Sequence, residues 1–507
     1  MLHVVALNGH LLDTNIIGNI SESYIIVIDY TTYDYGVVSI AEARNKRSSS
    51  YEVKGISKIS VAGFKSIYDE KSISIYPLTI LSGSNSSGKS SIFQPLLMMK
   101  QTMEESYDPG DLLIDGPHVR YYSAKEFLSK IGNEVADKFS ITIEVDGEKS
   151  IRETFKRGKN KPVELVEASF TSKKSNVRLK PGMDEKDLIK KYWFFNDQYE
   201  SFRKSLNSFI LDNKRLSDNG IDTDNLNIGL KILRKRCMLN VVFSVTGAYG
   251  KAIISPSVLP IPGFEDLSRV ENHILGIIHV PTLRGNPQRV YKTTAVGPQF
   301  PGTLDNYVAS IINHWKVTNN PALNKLGNWL KTLGLTWKID AKQINDTQVE
   351  ILLHRLPKKT SDPEDMVNIA DVGFGVSQVL PVLVALLVAK RDQIVYIEQP
   401  EIHLHPRAQY KLAEMLVETA NRGVKVVIET HSMLLLTGIQ TYIAEGKITT
   451  DNVKLHWFSR NDDGVTDVIS TSFDKRGSFG ECPIDFAEIE LEADSRYLDA
   501  SELHPVD

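Results

Sequence analysis

Eight residues, Gly83-Ser-Asn-Ser-Ser-Gly-Lys-Ser90, restrict this chain more than any other segment. They fit G-x-x-x-x-G-K-S and lie between an apolar run, Leu78 to Leu81, and a helix-forming stretch from about Lys89 to Met103. A strand that turns through such a loop into a helix points backbone N–H groups at an anion. Gly83 and Gly88 let the chain wrap closely, with Asn85 and Ser87 inside the wrap. Lys89 sets a cation toward β- and γ-phosphate oxygens, and Ser90, followed by Ser91, offers a hydroxyl to Mg²⁺. A chance Gly/Ser-rich turn is the alternative; the flanking strand and helix argue against it. The implied fold is that of an α/β nucleotide hydrolase.

A phosphate loop needs an acid at the end of a neighbouring strand. Ile394 to Ile397 reads as a fully buried strand and runs into Glu398-Gln399-Pro400-Glu401. Glu398 is the expected Mg²⁺ acid, acting through water. A second buried run, Val426 to Ile428, ends in Glu429-Thr430-His431. His431 is expected at the γ-phosphate or its attacking water. Asp371-Val-Gly-Phe-Gly-Val-Ser-Gln378 opens the helix that runs toward Ala389. Gly373, Gly375, Ser377 and Gln378 would make an anion site at that helix N-terminus. The chain already has its own loop, so this one fits a γ-phosphate held by another copy. A plain N-cap at Ser377 is the alternative. His403-Leu-His405 has the look of a metal pair, but it sits in a turn and no nearby Cys or third His completes a site. Arg284 and Arg289, which come after a short strand, are expected at a phosphate, at an inter-subunit contact or in a structural role.

The 507 residues suggest about three domains. Residues 1–54 form an extension with short strands at Tyr24 to Asp29 and Gly36 to Ala41. Residues 55–182 carry the loop and an antiparallel β layer, with a hairpin at Asp146-Gly147. Residues 183–237 show apolar residues at three- and four-residue spacing and predict an inserted helical hairpin. Residues 238–470 hold the remaining motifs, and 471–507 form a tail. Net charge is −4, which excludes a uniformly basic nucleic-acid-binding surface. Local contact with nucleic acid would fall on three clusters: Lys156 to Lys161, Lys173 to Lys180, and Arg234 to Arg236. Two cysteines and a first basic residue at Arg44 predict a cytoplasmic chain without a signal segment. The longest apolar run, Val379 to Ala389, contains Pro381 and is too short to span a bilayer, so no membrane is expected.

Together these parts resemble the ATP-binding-cassette ATPases of the SMC, RecF and OLD type, within the wider AAA grouping. The resemblance covers about residues 56–470. The Glu-Gln-Pro-Glu-Ile-His-Leu-His-Pro and Glu-Thr-His-Ser forms look most like a bacterial branch found in anti-phage defence. The ATPase subunits of Septu and PARIS systems are the nearest comparisons. The resemblance implies an ATPase head that pairs with a second copy. ATP and Mg²⁺ would bind at Gly83–Ser91 in one copy and be capped by Gly373–Gln378 of the other, with residues 399–406 along the seam. Three departures stand out. Gly-Phe-Gly-Val-Ser-Gln replaces the usual Leu-Ser-Gly-Gly-Gln. The glutamine that usually comes after the loop helix and touches Mg²⁺ has no clear counterpart, Gln94 and Gln101 both reading as helical. Gln399 stands where a catalytic glutamate is usual, and Glu401 would then supply the carboxylate. No nuclease motif is visible, so the implied partner is a separate nuclease or toxin chain.

Overall fold

The computed structural model describes residues 54–159, 162–192, 194–195, 197–198, 200–201, 204, 227–246, 252–258, 261, 267–354, 365–480 and 495–500, with the dipeptides 3–4 and 25–26. The chain divides into two compact units, Met1–Glu52 with Glu167–Glu265, and Val53–Val166 with Asp266–Asp507.

The second unit is built on a six-stranded sheet. Its order is Ile278–Val280, Ile394–Glu398, Lys425–Thr430, Leu78–Gly83, Val453–Arg460, Thr466–Thr471. The first five run parallel and the last pairs antiparallel. Leu78–Gly83, the earliest of these strands in the chain, sits between Lys425–Thr430 and Val453–Arg460. The strand order turns back there, and α/β sheets bind ligands at the carboxyl ends of strands around such a point. Leu78–Gly83 and Lys425–Thr430 are buried throughout, and so is Ile394–Ile397. That is why these strands read as unbroken apolar runs rather than alternating ones. One sheet face (Ile80, Val395, Ile397, Val426, Ile428) packs on the helices Phe374–Val388 and Pro406–Asn421 through Val379, Leu383, Leu412 and Leu416. The helix Lys89–Glu104 covers the other face, where Phe93 stacks on Tyr396 at 4.0 Å.

An antiparallel β layer joins this core in the order Lys71–Ser74, Ile56–Ala62, Lys138–Val145, Lys149–Arg157. The expected hairpin at 146–147 forms, with both Asp146 and Gly147 at positive φ. Two helices, Val308–Val317 and Pro321–Thr332, follow one another in the chain. The break is local chemistry: Asn319 takes a positive φ, Asn320 caps the second helix and Pro321 starts it. The α/β fold with a phosphate loop after a central parallel strand and an antiparallel β layer, expected from the sequence, is observed; the inserted helical hairpin is not borne out at its second helix. No helix among the described residues is long and apolar enough to cross a membrane.

The layer and the sheet are tied together by backbone and side-chain polar groups. Thr466 N–H donates to the Ser66 carbonyl at 2.7 Å, and Lys71 pairs with Asp467 at 2.8 Å. His456, fully buried, bonds Ser470 Oγ through Nδ1 and the Ser74 backbone through Nε2. Burial pushes the His456 imidazole down to about 4. Between pH 6.5 and 4 the unfolded chain therefore takes up a proton that the folded chain refuses. Stability rises with pH across this window and is lost as pH falls through it. Denaturant melts should show the wild type losing about 3 kcal/mol more between pH 6.5 and 4 than His456→Gln does. Equal slopes would remove His456 from the acid response.

The first unit differs from expectation. Glu185–Lys191 is a helix, capped by Asp184, but Asn227–Lys235 is a strand rather than the second helix of a hairpin. It pairs along its whole length with Met238–Thr246, from Asn227 opposite Thr246 to Lys235 opposite Met238, and Arg236 takes the positive φ of the turn. Ile228, Leu230 and Ile232 alternate, which is a strand period, and a neighbouring strand is available to satisfy it. Residues 205–226 lie outside the described residues, as do 36–41. Of the short strand expected at 24–29, Ile25–Ile26 is observed.

Candidate nucleotide site

Three strand ends converge at the loop. Ser82 Oγ donates to the Thr430 carbonyl at 3.2 Å, which fixes the loop strand beside the strand that carries His431. Gly83 and Gly88 both take φ values that other residues rarely adopt, +141° and +101°. A Cβ on Gly83 would sit 2.0 Å from the Phe458 carbonyl oxygen, and one on Gly88 2.3 Å from Thr466 Oγ1. Gly83→Ala should therefore cost about 3 kcal/mol or more in urea unfolding. A wild-type midpoint would mean that the loop does not pack on Phe458 in this way. Gly88 is also the N-cap of Lys89–Glu104, and neither a side-chain cap nor an acid in the first turn occupies its N–H groups. Those groups are suited to phosphate oxygens.

Lys89 is buried and donates to the Gly83 carbonyl at 3.0 Å and the Ser84 carbonyl at 2.7 Å. Burial lowers its pKa to about 8, against the pull of Glu429 and Glu401. Asn85 is exposed at the loop tip, whereas Ser87 and Ser91 are buried. The Ser87 hydroxyl makes no hydrogen bond, while its carbonyl accepts from Thr466 Oγ1 at 2.8 Å.

Three carboxylates lie at or just past these strand ends, and each is held differently. Glu398 Oε2 accepts from Thr282 N at 3.0 Å and Thr282 Oγ1 at 2.8 Å, and Oε1 lies 3.4 Å from His279 Nε2. Burial opposes its ionisation, but the hydrogen bonds from His279 and Thr282 prevail and hold its pKa below the usual value. Glu429 accepts from Ser90 Oγ at 2.8 Å and from the Tyr396 hydroxyl. Burial, then the neighbouring Glu398, push it up to about 7. Glu401 is 8% exposed; its Oε1 accepts from Thr430 Oγ1 at 2.8 Å and His431 N at 2.9 Å, and its Oε2 has no partner. Burial raises its pKa despite those bonds. The His431 imidazole is held below its usual pKa by burial and by Lys89.

The turn after Glu398 is fixed by Arg284. Its guanidinium donates to the carbonyls of Glu398 (2.6 Å), Gln399 (3.0 Å) and Gln378 (2.9 Å), and Nε to that of Pro281 (3.0 Å). Burial lowers its pKa to about 10, which leaves it charged at neutral pH. Of the roles open to Arg284, the structural one is observed. Gln399 has φ +44°, and its N–H donates to the Glu429 carbonyl at 2.8 Å. Arg289 forms an exposed two-pronged pair with Asp371.

The Gly373–Gln378 segment is only partly turned outward. Gly373, not Ser377, is the N-cap, and no side chain caps the helix. Phe374 is 54% exposed beside it, and Gly375 packs close to the His403 carbonyl. Ser377 Oγ donates to the Phe374 carbonyl at 3.0 Å. The Gln378 amide is buried on the carbonyls of Arg284 and Gly285 in its own chain. Gln378 is thus committed internally, and of this segment only Gly373 and Phe374 are exposed.

Neither Gln94 nor Gln101 reaches the carboxylates. Gln94 accepts from the Tyr121 hydroxyl at 2.7 Å, and Gln101 bonds the backbone of Leu113, His118 and Val119. His405 caps the helix that starts at Pro406, and no group of three or more metal-ligating side chains gathers among the described residues. A nucleotide-borne Mg²⁺ needs only one or two protein ligands, so the hydroxyl and carboxylates present fit one. Lys156 pairs with Asp137, and Arg178 and Lys180 with Glu167. Four members of the site carry no motif in the sequence: Thr282 and His279, which hold Glu398, Tyr396, which donates to Glu429, and Lys65. Lys65 lies over the Tyr121 ring at 5.0 Å, near enough to Glu398 to feel its charge.

A protein-family model described as "AAA domain, putative AbiEii toxin, Type IV TA system" matches residues 330–437. That span holds the Gly373 helix, Glu398, Glu401 and His431 but not the phosphate loop. No curated protein matches the chain. Three solved structures are similar. An SMC head bound to the C-winged helix domain of ScpA is 12% identical, with a TM-score of 0.40, over 83% of this chain and 98% of that one. The SMC head domain from Thermotoga maritima is 11% identical, with a TM-score of 0.35, over 82% and 98%. A Smc head with an extended coiled coil, bound to the C-terminal domain of ScpA derived from Pyrococcus furiosus, is 13% identical, with a TM-score of 0.38, over 88% and 99%.

Proposed function

We propose that this chain binds ATP with Mg²⁺, hydrolyses it slowly, and uses the bound nucleotide to bring two copies together. The observation that carries this reading is the convergence of Lys89, Ser90, Glu398, Glu401, Glu429 and His431 at the carboxyl ends of three adjacent strands. Gly83 to Ser91 cradle the phosphates, and Lys89 balances their charge. When bound, Mg²⁺ neutralises β- and γ-phosphate oxygens. Ser90 and a strand-end carboxylate would hold it; Glu398 is the acid that the motif names. Glu401, with one oxygen fixed by Thr430 and His431 N–H and the other unpaired, accepts the proton of the attacking water. Its raised pKa brings it nearer the range where a general base works. His431 lies beside it at the γ-phosphate. Gln399 can orient water but cannot take its proton, which favours slow turnover, so a second reading is an ATP-held scaffold. Gly373 and Gly375 cap the nucleotide of the partner copy.

A role in anti-phage defence beside a separate nuclease or toxin chain rests on the resemblance of the Glu398–Pro406 and Glu429–Ser432 forms; the matching family is described only by a putative toxin of a Type IV TA system. The basic clusters offer the only support for a nucleic-acid clamp. The test is turnover of ATP by the purified chain, with light scattering in the presence and absence of ATP. Mg²⁺-dependent phosphate release and a doubling of mass with ATP are expected. No binding and no release would end the reading. Isolation of the chain from its native cell, with identification of whatever accompanies it, tests the effector.

A further inference from the structure

The motif assigns the Mg²⁺ acid to Glu398, yet the hydrogen bonds point one strand inward. We propose that Glu429, rather than Glu398, is the carboxylate that partners Ser90 at the divalent cation. This deepens the ATP reading above and rests on it.

Ser90 comes directly after the loop lysine, and its hydroxyl donates to Glu429 Oε2 at 2.8 Å. A serine whose proton is taken by a carboxylate turns its remaining lone pairs away from that acid, toward the loop. That is the arrangement a cation-ligating hydroxyl needs. Glu429 lies on the strand hydrogen-bonded directly to the loop strand, in register with Leu81. Glu398 is its register partner on the next strand out. Both oxygens of Glu398 are turned to the far side, toward Thr282 and His279. Tyr396 donates to the second oxygen of Glu429 and is held flat by the Phe93 ring. Glu429 is thus oriented from two sides, as a metal-shell acid should be.

A second observation marks the place as one built for a ligand. Glu401 Oε2, buried on a residue 8% exposed, has no partner, and its carboxylate acts on Lys89 together with Glu429. Buried, unpaired carboxylate oxygens are costly unless something cationic or protic meets them. Glu398 then serves as a positioning residue, fixing the acid strand through Thr282.

The experiment uses the full chain, ADP, and Mn²⁺ as a paramagnetic probe read by EPR. ADP affinity is measured separately in EDTA with a fluorescent analogue. Glu429→Gln should keep ADP binding in EDTA and weaken Mn²⁺ binding to the ADP complex tenfold or more. Glu398→Gln should shift Mn²⁺ affinity less than threefold. The reverse pattern, or equal losses, overturns the proposal. If Glu429→Gln does not fold, Tyr396→Phe decides: Mn²⁺ affinity should fall about threefold by loss of one orienting hydrogen bond, and no change overturns the proposal. A wild-type chain that binds no ADP at all ends both this proposal and the ATP reading. A wild-type chain that binds ADP and Mn²⁺, with Glu429→Gln matching it, ends this one alone.

Discussion

Lys89→Ala should weaken nucleotide binding by roughly 10²-fold or more while leaving the fold intact. The side chain is buried, and its hydrogen-bond partners among the described residues are the carbonyls of Gly83 and Ser84, both in its own loop. Each charge-assisted hydrogen bond to phosphate contributes about 1.5–3 kcal/mol, and two of them amount to a loss of roughly 10²-fold or more in affinity. The effect on stability has the opposite sense. Burial lowers the lysine pKa to about 8, so between pH 8 and 10.5 the unfolded chain holds a proton that the folded chain has released. Wild-type stability therefore rises with pH across that window, and alanine removes the rise. Calorimetric titration with ADP, beside melts at pH 7.5 and 10, checks both halves. Retained binding would mean that the loop is not a phosphate site.

Glu401→Gln should lower turnover by roughly 10²–10⁴-fold, the usual contribution of a general base. Nucleotide binding should persist, because the loop contacts are untouched. Melting should not suffer either. The glutamine carbonyl can still accept from Thr430 and His431 N–H, and the substitution relieves the burial of a charge whose second oxygen is unpaired. Gln399→Glu, placed on the Glu401→Gln background, should restore part of the rate if position 399 can also reach the water. Single-turnover phosphate release separates these cases. Unchanged turnover in Glu401→Gln would leave the base unassigned and favour the scaffold reading.

Much of this site is legible in the sequence because chemistry sits at the ends of apolar runs. Leu78 to Leu81, Ile394 to Ile397 and Val426 to Ile428 announce buried parallel strands, and each run gives way to polar residues. Which ends touch is not legible. Ser90 and Glu429 are 339 positions apart, and only the pairing of Leu78–Gly83 with Lys425–Thr430 joins them. Glu429 carries the same signal as Glu398, an acid closing a buried run, and comparing the two raises it as a candidate. Gln378 misleads in the opposite way. A glutamine near a helix N-terminus reads as outward-facing, but the carbonyls of Arg284 and Gly285 turn it inward. The Asn227–Lys235 segment reads as a helix because its polarity pattern fits both periods, and the strand at Met238–Thr246 decides between them.

Arg284 has a mechanical consequence. One planar group grips the carbonyl of Gln378, four residues into the helix that opens at Phe374, and the carbonyls of Glu398 and Gln399, where the acid strand turns. A load applied to the outer tip of that helix, at Phe374, is delivered to the Glu401 turn through a single rigid guanidinium. Neither part can shift by an ångström without carrying the other or breaking buried hydrogen bonds. Movement of the helix tip and alignment of the acid are thus mechanically linked, and Arg284→Lys would loosen that link while keeping the charge.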